Sequence, residues 1–282
     1  MHTPCLWVAD DDADPVLRTA AYPRVVHVKV ETIRIDGLPV RLHTAAPAGR
    51  VRSDLDPTVV LVHGIGMSHR SFGRSQQALA ATHRTVSVDL PGFGGLRAAG
   101  RTLSMAELGD LVVRAVRARG AEDLVLVGQS MGAQVVTEAA RQHPGVVGSV
   151  VLVSPVVPVE RRSLPLVASD LFRDGAGEGF RMNGVLVTDY LRSVRQYVRE
   201  LRPMLRYRLE ETIADVHGPV LVVRGSDDPI VRRDWAVGVA TRAQRGSFVE
   251  LPGPHHLQER HPVAFARLVD EFRRAQTLEG LR

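Results

Sequence analysis

A single cysteine, Cys5, in 282 residues rules out an intramolecular disulfide and a cysteine-rich zinc or iron–sulfur site. No apolar run approaches the roughly 20 residues that a membrane-spanning helix needs. The first thirty residues carry Asp10, Asp11, Asp12 and Asp14 and have none of the pattern of a secretory signal, so a cytoplasmic protein with no membrane partner is expected. Lysine is nearly missing. Of 36 basic residues only Lys29 is a lysine, and the arginines are scattered from Arg18 to Arg282. The net charge of +5 could suit a polyanion, but the charge is not concentrated and no zinc finger, basic helix or similar module accompanies it. Nucleic acid is therefore not an expected partner. There is no internal repeat and no low-complexity tract.

What is present reads as an enzyme-sized globular domain. Hydrophobic residues make up 44% and charged residues 24%, ordinary proportions for a soluble protein. Alternating Val26, Val28, Val30 and Ile33 predict a strand within 24–35, and Asp36-Gly37 predicts a turn into a second strand at Val40–Thr44. Short apolar runs follow at Thr58–Val62, Thr85–Val88, Leu124–Val127, Val150–Val153, Val220–Val223 and Ser247–Leu251. Helical spacing separates most of them, at Ser104–Arg119 and Met131–His143 for example. Strands apolar throughout, alternating with helices, predict a mostly parallel, doubly wound α/β sheet covered on both faces, with an N-terminal hairpin. The alternation fails once. Residues 155–218 form a long, arginine-rich helical stretch between two strands, far beyond an ordinary connection, and are expected to be a helical lid. Residues 24–154 and 219–282 then form the core domain, and 1–23 a tail.

Gly128-Gln129-Ser130-Met131-Gly132 follows directly on a predicted strand and opens a predicted helix, the context that gives G-x-S-x-G its meaning. Glycines permit a tight turn that lifts the serine hydroxyl above the sheet edge, and the helix N-terminus behind it presents free N–H groups to developing negative charge. A nucleophilic serine needs a base, and the base an acid to orient it. Asp227-Asp228 end the strand Val220–Val223, and His255-His256 follow the strand Ser247–Leu251. The order Ser…Asp…His is that of the α/β-hydrolases, but each doublet offers two candidates.

From residue 24 to about 274 the chain resembles a capped α/β-hydrolase. His63-Gly64-Ile65-Gly66 is similar to that family's HGxG oxyanion loop, and Asp89-Leu90-Pro91-Gly92-Phe93-Gly94 to its D-L-P-G-F-G segment. Gly225-Ser226-Asp227-Asp228 is similar to the G-x-x-D acid motif, and 255–262 to the segment carrying the histidine. The resemblance implies Ser130 as nucleophile, Asp228 as acid and His255 as base, with the N–H groups of Met131 and of Ile65 or Gly66 as oxyanion hole. His255 is favoured by Pro262, seven residues on; Pro254 departs from the family's usual glycine. It implies that His63 holds the oxyanion loop by hydrogen bonds, that Asp227 is solvated, and that neither metal nor organic cofactor is needed. A small-molecule substrate is implied, cleaved as a carboxylic ester through an acyl-enzyme. C–C bond hydrolysis of a diketone-like substrate, acyl transfer, or ligand binding without catalysis are alternatives. Oligomeric state stays open.

Within the lid, Leu191, Val194, Val198, Leu201 and Leu205 share one helical face, and Arg192, Arg195, Arg199, Arg202 and Arg206 follow one residue behind. The expectation is that the apolar face turns inward to core or acyl pocket, with the arginines in water, giving a preference for uncharged, mostly apolar esters. Pro203 is expected to interrupt or kink the helix.

Overall fold

The computed structural model describes residues 6–8, 27–47, 57–156 and 180–280. Cys5 lies outside them. The central strands show why runs of consecutive valine and leucine fold as they do. Successive side chains of a strand point to opposite faces. In β4 (Thr58–Val62), β6 (Leu124–Gln129), β7 (Val147–Val153) and β8 (Val220–Gly225), apolar residues of even number enter one core and those of odd number the other, except Val147, which precedes a register shift in the β6–β7 pairing. Val60, Leu126, Leu152 and Val222 lie on the first face, Leu61, Val127, Val153 and Val223 on the second. A strand packed on both sides has no place for a polar alternation.

Nine strands form one sheet in the order β1-β9-β8-β7-β6-β4-β5-β3-β2. β2 (Lys29–Ile35) and β3 (Leu38–Ala45) make the antiparallel hairpin, turning at Asp36 and Gly37, both with positive φ, and β3 pairs antiparallel with β5 (Arg84–Asp89). From β5 to β9 (Gly246–Leu251) all pairings are parallel. Leu6–Val8, inside the stretch read as a tail, forms β1, parallel to β9. Three residues are too few to show a period.

Helices cover both faces. α1 (Gly73–Leu79) contributes Leu79 to the odd-numbered face. α2 (Met105–Arg117) and α3 (Met131–Gln142) pack on the even-numbered one. Ser104 and Glu107 close a reciprocal capping box at the start of α2.

The segment between β7 and β8 contains α4 (Phe180–Arg206), α5 (Leu209–Thr212) and a short 3-10 turn. Met204, Leu209, Ile213 and Val216 belong to the main core, so this segment's C-terminal part packs with the sheet. Pro203 does not break α4. It sits in the last turn, where its missing N–H costs one bond, and its carbonyl still accepts the N–H of Tyr207. The orientation of α4 is the reverse of the expected one over its middle. Leu191, Val194 and Val198 are exposed, whereas Asp189, Ser193, Gln196 and Glu200 are buried; only Leu201 and Leu205 pack against the core. Both sets have helical spacing, and the period alone does not say which face turns inward. The ground beneath decides. Ser68 donates to Asp189 Oδ2 (2.6 Å), Arg70 to Asp189 Oδ1 (2.8 Å), and Ser193 to the Gly66 carbonyl (3.2 Å), so the loop below α4 offers partners to polar side chains.

After β8 come α6 (Arg233–Arg242), β9, α7 (Leu257–Arg260) and α8 (Pro262–Gly280). Leu257, Phe265 and Val269 complete the odd-numbered face.

Candidate active site

Ser130 stands between the last residue of β6 and the first of α3, with φ 55° and ψ −119°. That conformation costs a non-glycine residue of order 1–3 kcal/mol and is held by its surroundings. The Ser130 N–H is bonded to Val153 O (2.9 Å), and its carbonyl accepts from Ala133 N (3.0 Å). The flanking glycines are required by contact. A Cβ on Gly128 would collide with the Gly132 carbonyl, and one on Gly132 with the carbonyl oxygen of Val62. Gly132→Ala is accordingly expected to destabilise the protein by roughly 3 kcal/mol or more, the upper end of overpacking costs. Urea denaturation checks this, with exposed Gly145→Ala, which meets nothing, as the control.

The loop after β4 lies against this turn. A Cβ on Gly64 would come within 2.6 Å of Gln129 Oε1 and 3.0 Å of Ser130 Cβ. Ile65 is buried and Met131, the first residue of α3 and the one after the serine, fully so. His63, also fully buried, fixes the loop. Its Nε2 accepts the N–H of Leu90 (3.2 Å), so Nδ1 carries the proton and donates to the Gly64 carbonyl (2.8 Å). Burial pushes the His63 pKa down and keeps the ring neutral. Gly66 has φ 76°, and Tyr190 of α4 occupies the space a Cβ would fill.

Asp228 and His255 are joined. His255 Nδ1 donates to Asp228 Oδ2 (2.8 Å), while Asp228 Oδ1 accepts the N–H groups of Ile230 (2.8 Å) and Val231 (3.0 Å). Burial alone would push the Asp228 carboxyl up. The charge and hydrogen bond of His255, with the Val231 N–H, outweigh that and hold it below its usual range. Asp227 is exposed. His256 is buried and meets the His255 ring edge to face.

The histidine segment is tied on both sides of β6. Towards β8, Gly225 is packed under the carbonyls of Gly253 and Pro254. Towards β4, Ser75 Oγ donates to Gln258 O, Gln258 Nε2 donates to Ser71 O (3.1 Å), and Glu259 Oε1 accepts from Arg74 N (2.7 Å). Glu259 also pairs with Arg181 of α4. In the sheet, β6, which leads into Ser130, lies between β8 and β4.

One cluster was not read from the sequence. Buried Asp89 accepts from His69 N (2.7 Å) and faces His43 Nε2 (3.0 Å) and His69 Nδ1 (3.0 Å). Three such groups could in principle hold a metal ion. Here the two imidazoles stack, 3.5 Å between centroids and 15° apart, and both direct a ring nitrogen at Asp89 Oδ2, at 3.0 and 3.1 Å. The group is a hydrogen-bonded clamp on the β5 end. Strand alternation in β3 and the D-L-P-G-F-G segment mark His43 and Asp89 separately, but no spacing joins them to His69. Burial would push Asp89 up, yet the bonds from His43 and His69 prevail and hold it far below the usual carboxylate range. A depressed carboxylate stabilises fully above its unfolded value, near 4, and loses that contribution as pH falls below it. Asp89→Asn is expected to cost roughly 3 kcal/mol at pH 7. The gap to wild type should narrow progressively as pH falls below about 4 in denaturation curves, because the unfolded wild-type chain then takes up a proton that folded Asp89 does not.

Residues 59–268 match the alpha/beta hydrolase family. The chain belongs to that family. This α/β hydrolase is 25% identical over 249 residues to the pimeloyl-[acyl-carrier protein] methyl ester esterase of Nitrosospira multiformis, covering 77% of this chain and 91% of that one. It is 39% identical over 101 residues to the dihydrolipoyllysine-residue acetyltransferase component of the acetoin cleaving system of Cupriavidus necator, covering 35% of this chain and 26% of that protein. The chain thus spans about a quarter of the length of the first relatives it matches. Among solved structures, the esterase RhEst1 from a Rhodococcus species superposes with a TM-score of 0.70 at 19% identity, over 87% of this chain and 98% of that one. No helix of the described residues is long and apolar enough to cross a membrane.

Proposed function

We propose that this α/β hydrolase cleaves a carboxylic ester of a small molecule through an acyl-enzyme, with Ser130 as nucleophile, His255 as base and Asp228 as its orienting acid. The observation that carries the reading is the buried Asp228–His255 hydrogen bond, on a segment tied to elements on both sides of the strand that leads into the strained serine turn. With Nδ1 committed to Asp228, His255 Nε2 is the nitrogen left to take the Ser130 proton as Oγ attacks the ester carbonyl. The carbonyl π electrons move onto oxygen, and the N–H groups of Met131 and Ile65 are the donors for that charge, each worth about 3–4 kcal/mol of barrier. When the tetrahedral intermediate collapses, the C–O bond breaks and imidazolium returns the proton to the leaving alcohol. Water, deprotonated by the same nitrogen, then releases the acid. Every step uses the chain's own groups.

Residues 155–218 act as the lid in this reading. Because the Leu191–Val198 stripe faces out, the apolar side chains that α4 turns inward ahead of Tyr190 are Met182, Val185 and Leu186, packed with Met67. The inward side, with Tyr190, Ser193, Tyr197 and Gln196, suits esters that carry hydrogen-bonding groups. The esterase relatives support ester cleavage without defining the substrate. A fluorophosphonate probe followed by peptide mass spectrometry tests the reading. One adduct, on Ser130, together with turnover of p-nitrophenyl acetate is expected; an adduct elsewhere, or no turnover of any ester in a panel, overturns it.

A further inference from the structure

The outward side of α4 has an unusual make-up. At 100° per residue, Phe180, Val187, Leu191, Val194 and Val198 fall within a sector of about 60°. All five are exposed, Phe180 at 97% and Leu191 at 73%. Beside this stripe runs a band of Arg192, Arg195, Arg199, Arg202 and Arg206, none of which forms an ion pair among the described residues. The helix has two acidic residues, Asp189 and Glu200, and both are buried on the opposite side. The outward half of this 27-residue helix is therefore apolar and cationic, with no acidic side chain of the helix itself on that half.

We propose that this face of α4 docks in-plane on an anionic lipid surface. A helix that lies in a membrane interface carries a narrow apolar stripe, basic residues beside it and low overall hydropathy, and this face has all three. Valine and leucine enter the acyl boundary, and the arginines reach headgroup phosphates, to which guanidinium bonds in pairs. Charge complementarity fixes the sign of the partner. Apart from Phe180 at its end, the stripe consists of valine and leucine without the aromatic anchors that dominate a protein hot spot. The attachment is peripheral, and the side of α4 over Gly66 stays turned towards the candidate site. It revises the expectation of a protein without a membrane partner.

Vesicle co-sedimentation of the full chain tests this without reference to catalysis. Phosphatidylglycerol vesicles should bind the protein at low salt, neutral phosphatidylcholine vesicles much less, and 0.5 M salt should release it. The R192Q/R195Q/R199Q variant should lose roughly a hundredfold in partition, at about 1 kcal/mol per arginine near the surface. The L191S/V194S/V198S variant should lose binding at low salt, although its arginines remain. All six positions are exposed, and an unchanged melting temperature confirms that both variants fold. No binding of wild type to phosphatidylglycerol overturns the proposal, as does equal binding to both lipids or binding that both variants retain. A dimer in sedimentation equilibrium that L191S/V194S/V198S dissociates assigns the face to a second copy and overturns it as well.

Discussion

Ser130→Ala is expected to lower kcat for an ester substrate by roughly four to six orders of magnitude while leaving the fold intact. Removing the oxygen removes the covalent route, so the residual rate comes only from binding and from the oxyanion donors. The substitution deletes one atom from a residue already nearly buried, and the turn around it is set by backbone contacts that alanine keeps. Melting temperature should therefore stay close to wild type. Steady-state kinetics on p-nitrophenyl esters reads the loss directly, and fluorophosphonate labelling should vanish with it. Retained activity in a folded Ser130→Ala protein would remove the nucleophile from the proposal.

Asp228→Asn is expected to cost about 10⁴ in kcat, with a much smaller change in KM. The carboxylate does two things that an amide cannot do together. Its Oδ2 accepts from His255 Nδ1, and its charge stabilises the imidazolium that forms when the serine proton is taken. An asparagine that turns its NH₂ towards His255 reverses the tautomer and protonates the nitrogen needed as base. Asp227→Asn, one residue away and exposed, is expected to change kcat less than threefold, as surface substitutions generally do. The histidine doublet should split likewise: His255→Ala close to Ser130→Ala, His256→Ala far milder. Kinetics of the four variants on one ester decide the register. A dead Asp227→Asn or His256→Ala with its neighbour active would move the pair by one position.

How far these residues could be read beforehand follows from the length over which each signal acts. The strand Thr58–Val62 carries the same bounds in sequence and structure, because a run buried on both faces and bounded by turn residues admits few readings. The turn at Ser130 was equally legible, since G-x-S-x-G is local and sterically demanding. Asp228 over Asp227 rested on motif register, and burial separates them in the structure. Two kinds of feature stayed hidden. β1 is too short for a pattern and exists through its pairing with β9. The facing of α4 and the His43–His69–Asp89 clamp depend on which side chains lie opposite across distances of 20 to 121 residues, and periodicity within one element carries nothing about that.

The attachment of α4 has a mechanical corollary. Near its C-terminus the helix is rooted in the sheet's main core by Met204, while fifteen residues earlier it is fastened to the loop after β4 by Asp189, through Ser68 and Arg70, and beyond that by Met182, Val185 and Leu186 packed with Met67. At 1.5 Å per residue the two points are about 22 Å apart along a rigid rod. A tilt of about 10° at the rooted end sweeps Asp189 through about 4 Å, more than its hydrogen bonds can stretch. The N-terminal arm is thus a lever held by a cluster of contacts around Asp189, and Tyr190, which roofs Gly66, rides among them and would travel with them.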